Sequence, residues 1–267
     1  MKEYKPILIA RKEWREAFRS RQLLMSMMIM PLLFSLLLPV ALFLITRLAS
    51  FVDNVVVPPF LMDLIPGAQD MTLIQLGTVF FVQYLFPVAI LIVPVATTSV
   101  LSANSFAGEK ERKTIEALVL APVSDLELFL GKVLASLIPS LTMFWISFGI
   151  SVVSLTLVSY PIVGQFLLFE IRYLILAIFL GPSMSVLVIT ITVLVSARVQ
   201  TSLESQQITG ALILPVVFFM LGAVTGVLVM GVYVIAISSV ITGTAAISTL
   251  YLAVKMFRRD RIIEKML

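Results

Sequence analysis

The sequence lacks several residue types on which function commonly depends. It contains no cysteine and no histidine, which excludes disulfides and thiolate metal sites and removes the commonest catalytic base and metal ligand. Charged residues make up only 13% of the 267 residues, whereas 60% are hydrophobic. A soluble domain has about 25% charged residues, so this composition is typical of a single all-α domain solvated by lipid.

The apolar residues form runs long enough to cross a membrane, which takes about 20 residues. Because 50 uncharged residues between Glu204 and Lys255 would make one helix of about 75 Å, we divide that stretch into two spans. The sequence therefore predicts six transmembrane helices within one domain, 1–267. Their approximate bounds are 23–45, 78–101, 133–158, 173–195, 211–228 and 232–254.

The basic residues predict the orientation, because lysine and arginine accumulate in short cytoplasmic loops. Segments 1–22, 102–132, 196–210 and 255–267 carry 17 of the 19 basic residues. We therefore expect both termini to be cytoplasmic in a multi-pass protein of the plasma membrane. The positive net charge belongs to these flanking segments, so it does not indicate a nucleic-acid partner.

The N-terminal segment 1–22 has the pattern of an amphipathic helix. Ile7, Trp14 and Phe18 lie on one face at spacings of 7 and 4, and the basic residues lie largely elsewhere. A basic helix with an aromatic face is typical of the membrane interface, and a solvated helix is the alternative interpretation. Membrane lipid is the partner that this pattern predicts.

The sequence also lacks an energy source of its own. No GxxxxGK[ST] phosphate loop is present, and the predicted spans contain no ionisable residue, since Lys132, Arg172 and Arg198 lie at or beyond their edges. Buried charges usually mark ion-coupled pathways. We therefore expect no catalytic, cofactor or metal site, and an energy source on a partner protein.

The loop at 102–132 has the pattern of a short amphipathic helix followed by a turn and a second helix. Glu109 and Lys113 have the spacing of helical ion pairs, as do Arg112 and Glu116. Pro122 is expected to end the first helix. Ser124 and Glu127 have the spacing of a capping box that begins the next helix, which continues into the third span.

This loop resembles the cytoplasmic signature of type-2 ABC exporter permeases, which is roughly E-x-E-x-G-T-[LI]-E-x-L-x-x-x-P-[VI]-[ST] followed by a later G-K. The one departure is Lys113, where many members have glycine. The segment Ala10–Arg21 also resembles the interfacial helix of that family. The matching residues are Glu109, Glu111, Thr114, Ile115, Glu116, Leu118, Pro122, Val123, Ser124, Gly131 and Lys132.

The resemblance implies a transporter made of two permease subunits, identical or paralogous, and two separate ABC ATPase subunits that bind ATP. The loop helix would dock on the ATPase, and Ser124 and Glu127 would hold its joint to the third span. Two alternatives stay open: a membrane scaffold or assembly protein, and a membrane-embedded enzyme of lipid metabolism. The docking surface would comprise Glu109, Glu111, Arg112, Thr114, Ile115, Glu116, Leu118 and Pro122.

Overall fold

The protein is helical throughout the part of the chain that its structure, a computed structural model, describes. The described residues are 5–49, 65, 67–111, 123–196, 198–224 and 232–256. Every regular element among them is a helix, so the predicted all-α class is confirmed. The long apolar runs explain this outcome, because a helix satisfies all its backbone hydrogen bonds within one segment.

Eleven α-helices and three short segments of other helix types occur in the described residues. Two of the short segments are π-helical, at Phe81–Leu85 and Leu176–Leu180, and one is a 3₁₀ turn at Ala68–Asp70. The α-helices are α1 (Lys5–Arg19), α2 (Arg21–Ala49), α3 (Leu73–Phe80), α4 (Phe86–Ala89), α5 (Ile92–Glu111), α6 (Asp125–Val163), α7 (Ile171–Ile175), α8 (Gly181–Ser196), α9 (Ser202–Gly210), α10 (Ile213–Val224) and α11 (Val232–Met256).

Five helical stretches of the described chain are long and apolar enough to cross a membrane, and they match five of the six predicted spans. Their bounds are Arg21–Leu48, Leu73–Glu109, Asp125–Val163, Ile171–Ser196 and Val232–Lys255. The predicted fifth span, 211–228, coincides with α10, and its last four residues lie outside the described ones. The described part of α10 has 12 residues, which cover about 18 Å.

Helix α9, within the segment 196–210 that was assigned to a loop, packs one face against the helix bundle and exposes the other. Ser205 and Thr209 are fully buried, and the Thr209 hydroxyl is 2.7 Å from that of Ser99 in α5. Helix α9 is capped by Thr201, whose side chain accepts from the Glu204 N–H in the first turn. A turn at Ala211–Leu212 joins α9 to α10.

The path from α3 to α5 is the centre of the bundle. In the most apolar window of the stretch Leu73–Glu109, 67% of the residues are buried. The corresponding windows of α6 and α11 are 22% and 17% buried. The outer helices expose apolar side chains such as Leu36 and Leu48 of α2 and Leu157 of α6. This distribution is that of a bundle whose outer surface contacts lipid.

The serines of α6 mark a packing face. Ser136, Ser140, Ser147 and Ser151 are all buried, and the Ser147 hydroxyl donates to the Pro31 carbonyl of α2 at 3.0 Å. Small residues let neighbouring helices approach closely.

The two ends of the bundle differ in character. The basic end carries the ends of α1 and α5 and the start of α6; the opposite end carries Val163 and α7. There Arg172 is buried beside Glu170, with nitrogen and oxygen 2.5 Å apart, and the Tyr173 hydroxyl donates to the Val82 carbonyl of a π-helical segment. Sequence reasoning placed Arg172 in a loop, whereas the structure includes it in α7.

Candidate functional site

The structure describes the first two residues of the predicted docking surface, Glu109 and Glu111, and the start of α6, but not the rest of the docking surface. Residues 112–122 lie outside the described residues, and with them Arg112, Thr114, Ile115, Glu116, Leu118 and Pro122. The segment leaves α5 after Glu111 and rejoins the structure just before α6. What holds these two helix ends in place therefore determines how the segment is connected to the bundle.

The start of α6 is fixed by the predicted capping box. The Ser124 hydroxyl accepts from the Glu127 N–H at 3.2 Å, and the Glu127 carboxylate accepts from the Ser124 N–H at 2.8 Å. The backbone N–H of Ser124 is the main reason that the pKa of Glu127 is lowered. Such caps satisfy backbone donors that a helix start would otherwise leave without partners.

The end of α5 is fixed to the start of α9. The Glu111 carboxylate accepts hydrogen bonds from the Ser202 N–H at 2.9 Å and from the Ser202 hydroxyl at 2.8 Å. A carboxylate at a helix N-terminus also interacts favourably with the helix dipole. Glu111, a residue of the predicted docking surface, thereby links the end of α5 to the helix that leads into the fifth span.

A buried ionic cluster joins three helices near the end of α5 and the start of α6. The Lys132 nitrogen in α6 lies 2.5 Å from the Glu109 carboxylate of α5 and 3.8 Å from the Glu13 carboxylate of α1. It also donates to the Ser105 carbonyl. We call Lys132, Glu109 and Glu13 the Lys132 cluster.

The Lys132 cluster is held away from water. The lysine side chain is 2% exposed, and those of Glu13 and Glu109 are 12% and 14% exposed. Burial raises the pKa of Glu13; Lys132 partly opposes this effect and Glu109 adds to it. Breaking a buried ion pair by removing one partner typically costs about 3–5 kcal/mol, so this cluster strongly disfavours separation of the three helices.

Glycine at position 131 allows α1 to approach α6 closely. A Cβ atom at Gly131 would lie 2.7 Å from the Ile9 Cβ and 3.0 Å from the Pro6 carbonyl oxygen. One turn further along, the Trp14 indole N–H donates to the Ala135 carbonyl at 3.0 Å. Gly131 therefore allows α1 to pack closely against α6, and the adjacent Lys132 binds the Glu13 carboxylate of α1.

Among the described site residues, Glu109 faces the interior of the protein, whereas Glu111 and Ser124 are exposed. Glu109 was predicted to pair with Lys113, which lies outside the described residues, and the structure pairs it with Lys132. Sequence reasoning missed Glu13, Ser202 and the role of Lys132. The available signal was that Lys132 precedes a run without charges, 133–169, where a cation needs a buried partner.

A comparison with protein families assigns the chain. The family model described as "ABC-2 family transporter protein" matches residues 7–258. The chain belongs to the ABC-2 transporter family. No curated protein matches it.

Family membership and the apolar helices make this ABC-2 protein a multi-pass membrane protein and a permease component of an ABC transporter. ABC-2 permeases generally work with an ATPase subunit. The matched range includes the ends of α5 and α6 and all three residues of the Lys132 cluster. The cluster therefore belongs to the transporter domain itself.

Proposed function

We propose that this ABC-2 protein is the permease of an ATP-driven exporter. A separate ABC ATPase subunit binds ATP and pushes on segment 112–122, and a second permease copy completes the pathway. The chain lies in the plasma membrane with the basic end and both termini in the cytoplasm. The observation that carries this proposal is the anchoring of both ends of segment 112–122 in the bundle.

Each anchor supports the transmission of a push to a different span. Through Glu111 the segment is attached to α9, which leads into the fifth span. Through Ser124 it is attached to α6, and a shift of α6 acts on α5 and α1 through the Lys132 cluster. Only the Lys132 cluster among these contacts is buried, and it ties the start of α6 to α5 and α1.

The sequence supplies the reason for a partner. It has no phosphate loop, and a chain that cannot bind ATP by that means needs an ATPase to move substrate uphill. The predicted docking helix offers both charged and apolar side chains, notably Glu116, Ile115 and Leu118. Such a mixture suits a cleft on a soluble protein, where an apolar core is surrounded by a polar rim.

Two substitutions in the docking helix test the proposal: one reverses a charge, and the other places a charge at an apolar position. We expect Glu116→Lys and Leu118→Asp to insert normally, because insertion depends on apolar length and basic flanks. Both should reduce ATPase co-purification or uncouple ATP hydrolysis from transport, measured after co-expression with the ATPase. Gln165→Lys, an exposed position at the opposite end, is the control and should behave like the parent.

Parent-like assembly and transport in both variants would contradict the docking role. The energy source is tested separately in cells. Export that persists after ATP depletion but stops when a protonophore is added would contradict an ATP-driven mechanism.

A further inference from the structure

Three arginines of α1 line one open groove on the protein surface. Arg11, Arg15 and Arg19 recur at intervals of four residues, and Trp14 and Phe18 lie between them in the same groove. All three arginines are exposed. The ion pairs formed by basic residues of α1 in the described structure use Lys5 and Lys12, so these guanidinium groups have no acidic partner among the described residues.

The groove lies at the level where α6 changes from charged to apolar. Helix α1 runs beside the start of α6, with Lys5 3.8 Å from Glu127 and the Trp14 indole bonded to Ala135. Lys132 is the last charged residue of α6 before the uncharged run 133–169. In a multi-pass protein this change marks the boundary between headgroups and hydrocarbon, and tryptophan is enriched there.

An exposed apolar surface continues from the groove along α2. Phe18 is 51% exposed, and Met25 and Ile29 follow it at spacings of 7 and 4 with exposures of 68% and 54%. Basic groups beside an apolar strip match the two parts of a phospholipid, a phosphate and its acyl chains. Guanidinium groups bind phosphate through paired hydrogen bonds.

We propose that the groove formed by Arg11, Trp14, Arg15, Phe18 and Arg19 is a binding site for anionic phospholipid headgroups of the adjoining leaflet. The charge is the argument for an anionic lipid rather than a zwitterionic one, because the groove supplies three cations and no acidic side chain. Since Trp14 is hydrogen-bonded to α6, a bound lipid would press α1 against the helix that carries Lys132.

Fluorescence quenching of Trp14 tests this site directly. The chain has two tryptophans, so Trp145→Phe leaves Trp14 as the reporter in the full-length protein. The protein is reconstituted in phosphatidylcholine vesicles that contain either acyl-brominated phosphatidylglycerol or acyl-brominated phosphatidylcholine at equal mole fraction. We expect stronger quenching by the anionic lipid, with a preference that weakens as salt is added, because salt screens exposed charges.

Substitution of the arginines should remove that preference. Each basic side chain near an anionic surface strengthens binding about five-fold, which corresponds to about 1 kcal/mol. Arg15→Gln should therefore lower the preference about five-fold, and the combined variant at Arg11, Arg15 and Arg19 should quench equally with both lipids. Lys12→Gln is the matched control, because Lys12 is outside the groove and already 3.6 Å from Glu16.

Two results would overturn the proposal. One is equal quenching of the parent by both lipids at low salt, a measurement that needs no variant. The other is an Arg15→Gln protein that keeps the full preference but loses co-purification with the ATPase, which would make the groove a protein interface.

Discussion

Among single residues, Lys132 makes the contacts that most constrain the basic end. Its amino group contacts carboxylates on α1 and α5 and lies 5.4 Å from the centre of the Phe106 ring. A lysine in this position loses its hydration, and the two carboxylates and the Ser105 carbonyl replace the lost water. The cost of separating these groups explains how one side chain can keep three helices together.

Removing Lys132 should destabilise the protein more than removing an exposed lysine. Lys132→Met leaves the Glu13 and Glu109 carboxylates buried without a cation, and we expect a loss of about 3–5 kcal/mol. Lys5→Met is the control, since the pair of Lys5 with Glu127 is largely exposed and worth about 0–1 kcal/mol. Thermal unfolding in detergent, followed by near-ultraviolet circular dichroism, measures the difference.

A double variant separates the ion pair from packing. Adding Glu109→Gln to Lys132→Met removes one stranded carboxylate and should restore part of the lost stability. Equal stability of Lys132→Met and Lys5→Met would contradict the structural importance of the Lys132 cluster.

Glu13 should make stability depend on pH. Burial raises its pKa above the ordinary 4.5, so its contribution is fully present below pH 4.5 and is lost as pH rises through the folded-state pKa. Glu13→Gln mimics the protonated carboxyl. We expect the thermal midpoint of this variant, relative to that of the parent, to rise as pH increases. The same gain in Glu16→Gln, which changes a more exposed carboxylate, would contradict the assignment to Glu13.

At the scale of elements, the contact between α1 and α6 depends on a missing side chain. Gly131 is in close contact with Ile9 and the Pro6 carbonyl, whereas a Cβ at Gly149, further along the same helix, would meet nothing within 4 Å. Two glycines of one helix thus differ only in their neighbours. The higher helix propensity of alanine should take effect at position 149. At position 131 the close contact with α1 should outweigh it.

We therefore expect opposite signs for the two alanine substitutions. Gly149→Ala should be neutral or stabilise by up to about 1 kcal/mol, and Gly131→Ala should destabilise by about 1–3 kcal/mol because it overpacks the contact. Thermal midpoints measure both changes. In a Trp145→Phe background, Trp14 emission should shift to longer wavelength only for Gly131→Ala, and an unchanged spectrum with an unchanged midpoint would show that α1 does not need this contact.

At the scale of the whole molecule, the sequence predicted what depends on local chemistry. Apolar length placed five of the spans, and the spacing of Ser124 and Glu127 predicted the cap. Sequence reasoning failed where segments that are distant along the chain contact each other. Glu109 was assigned to the docking surface and to a pair with Lys113 because of its spacing, whereas a tertiary contact uses it to neutralise Lys132.

The orientation of the whole bundle is the property that the proposed function most requires, because the ATPase can contact only the cytoplasmic side. The basic end should be inside and the turn between α6 and α7 outside, since 17 of the 19 basic residues lie in the segments assigned to the cytoplasm.

The chain has no cysteine, so single cysteines report this cleanly. We expect Gln165→Cys, which is exposed in that turn, to react with an impermeant maleimide added to intact cells, and Asp260→Cys to react only after permeabilisation. Labelling of Cys at position 260 in intact cells would place the C-terminal tail outside. Labelling at neither position before permeabilisation, but at both after it, would place the turn inside as well, and either result would remove the basis for docking an ATPase at the basic end.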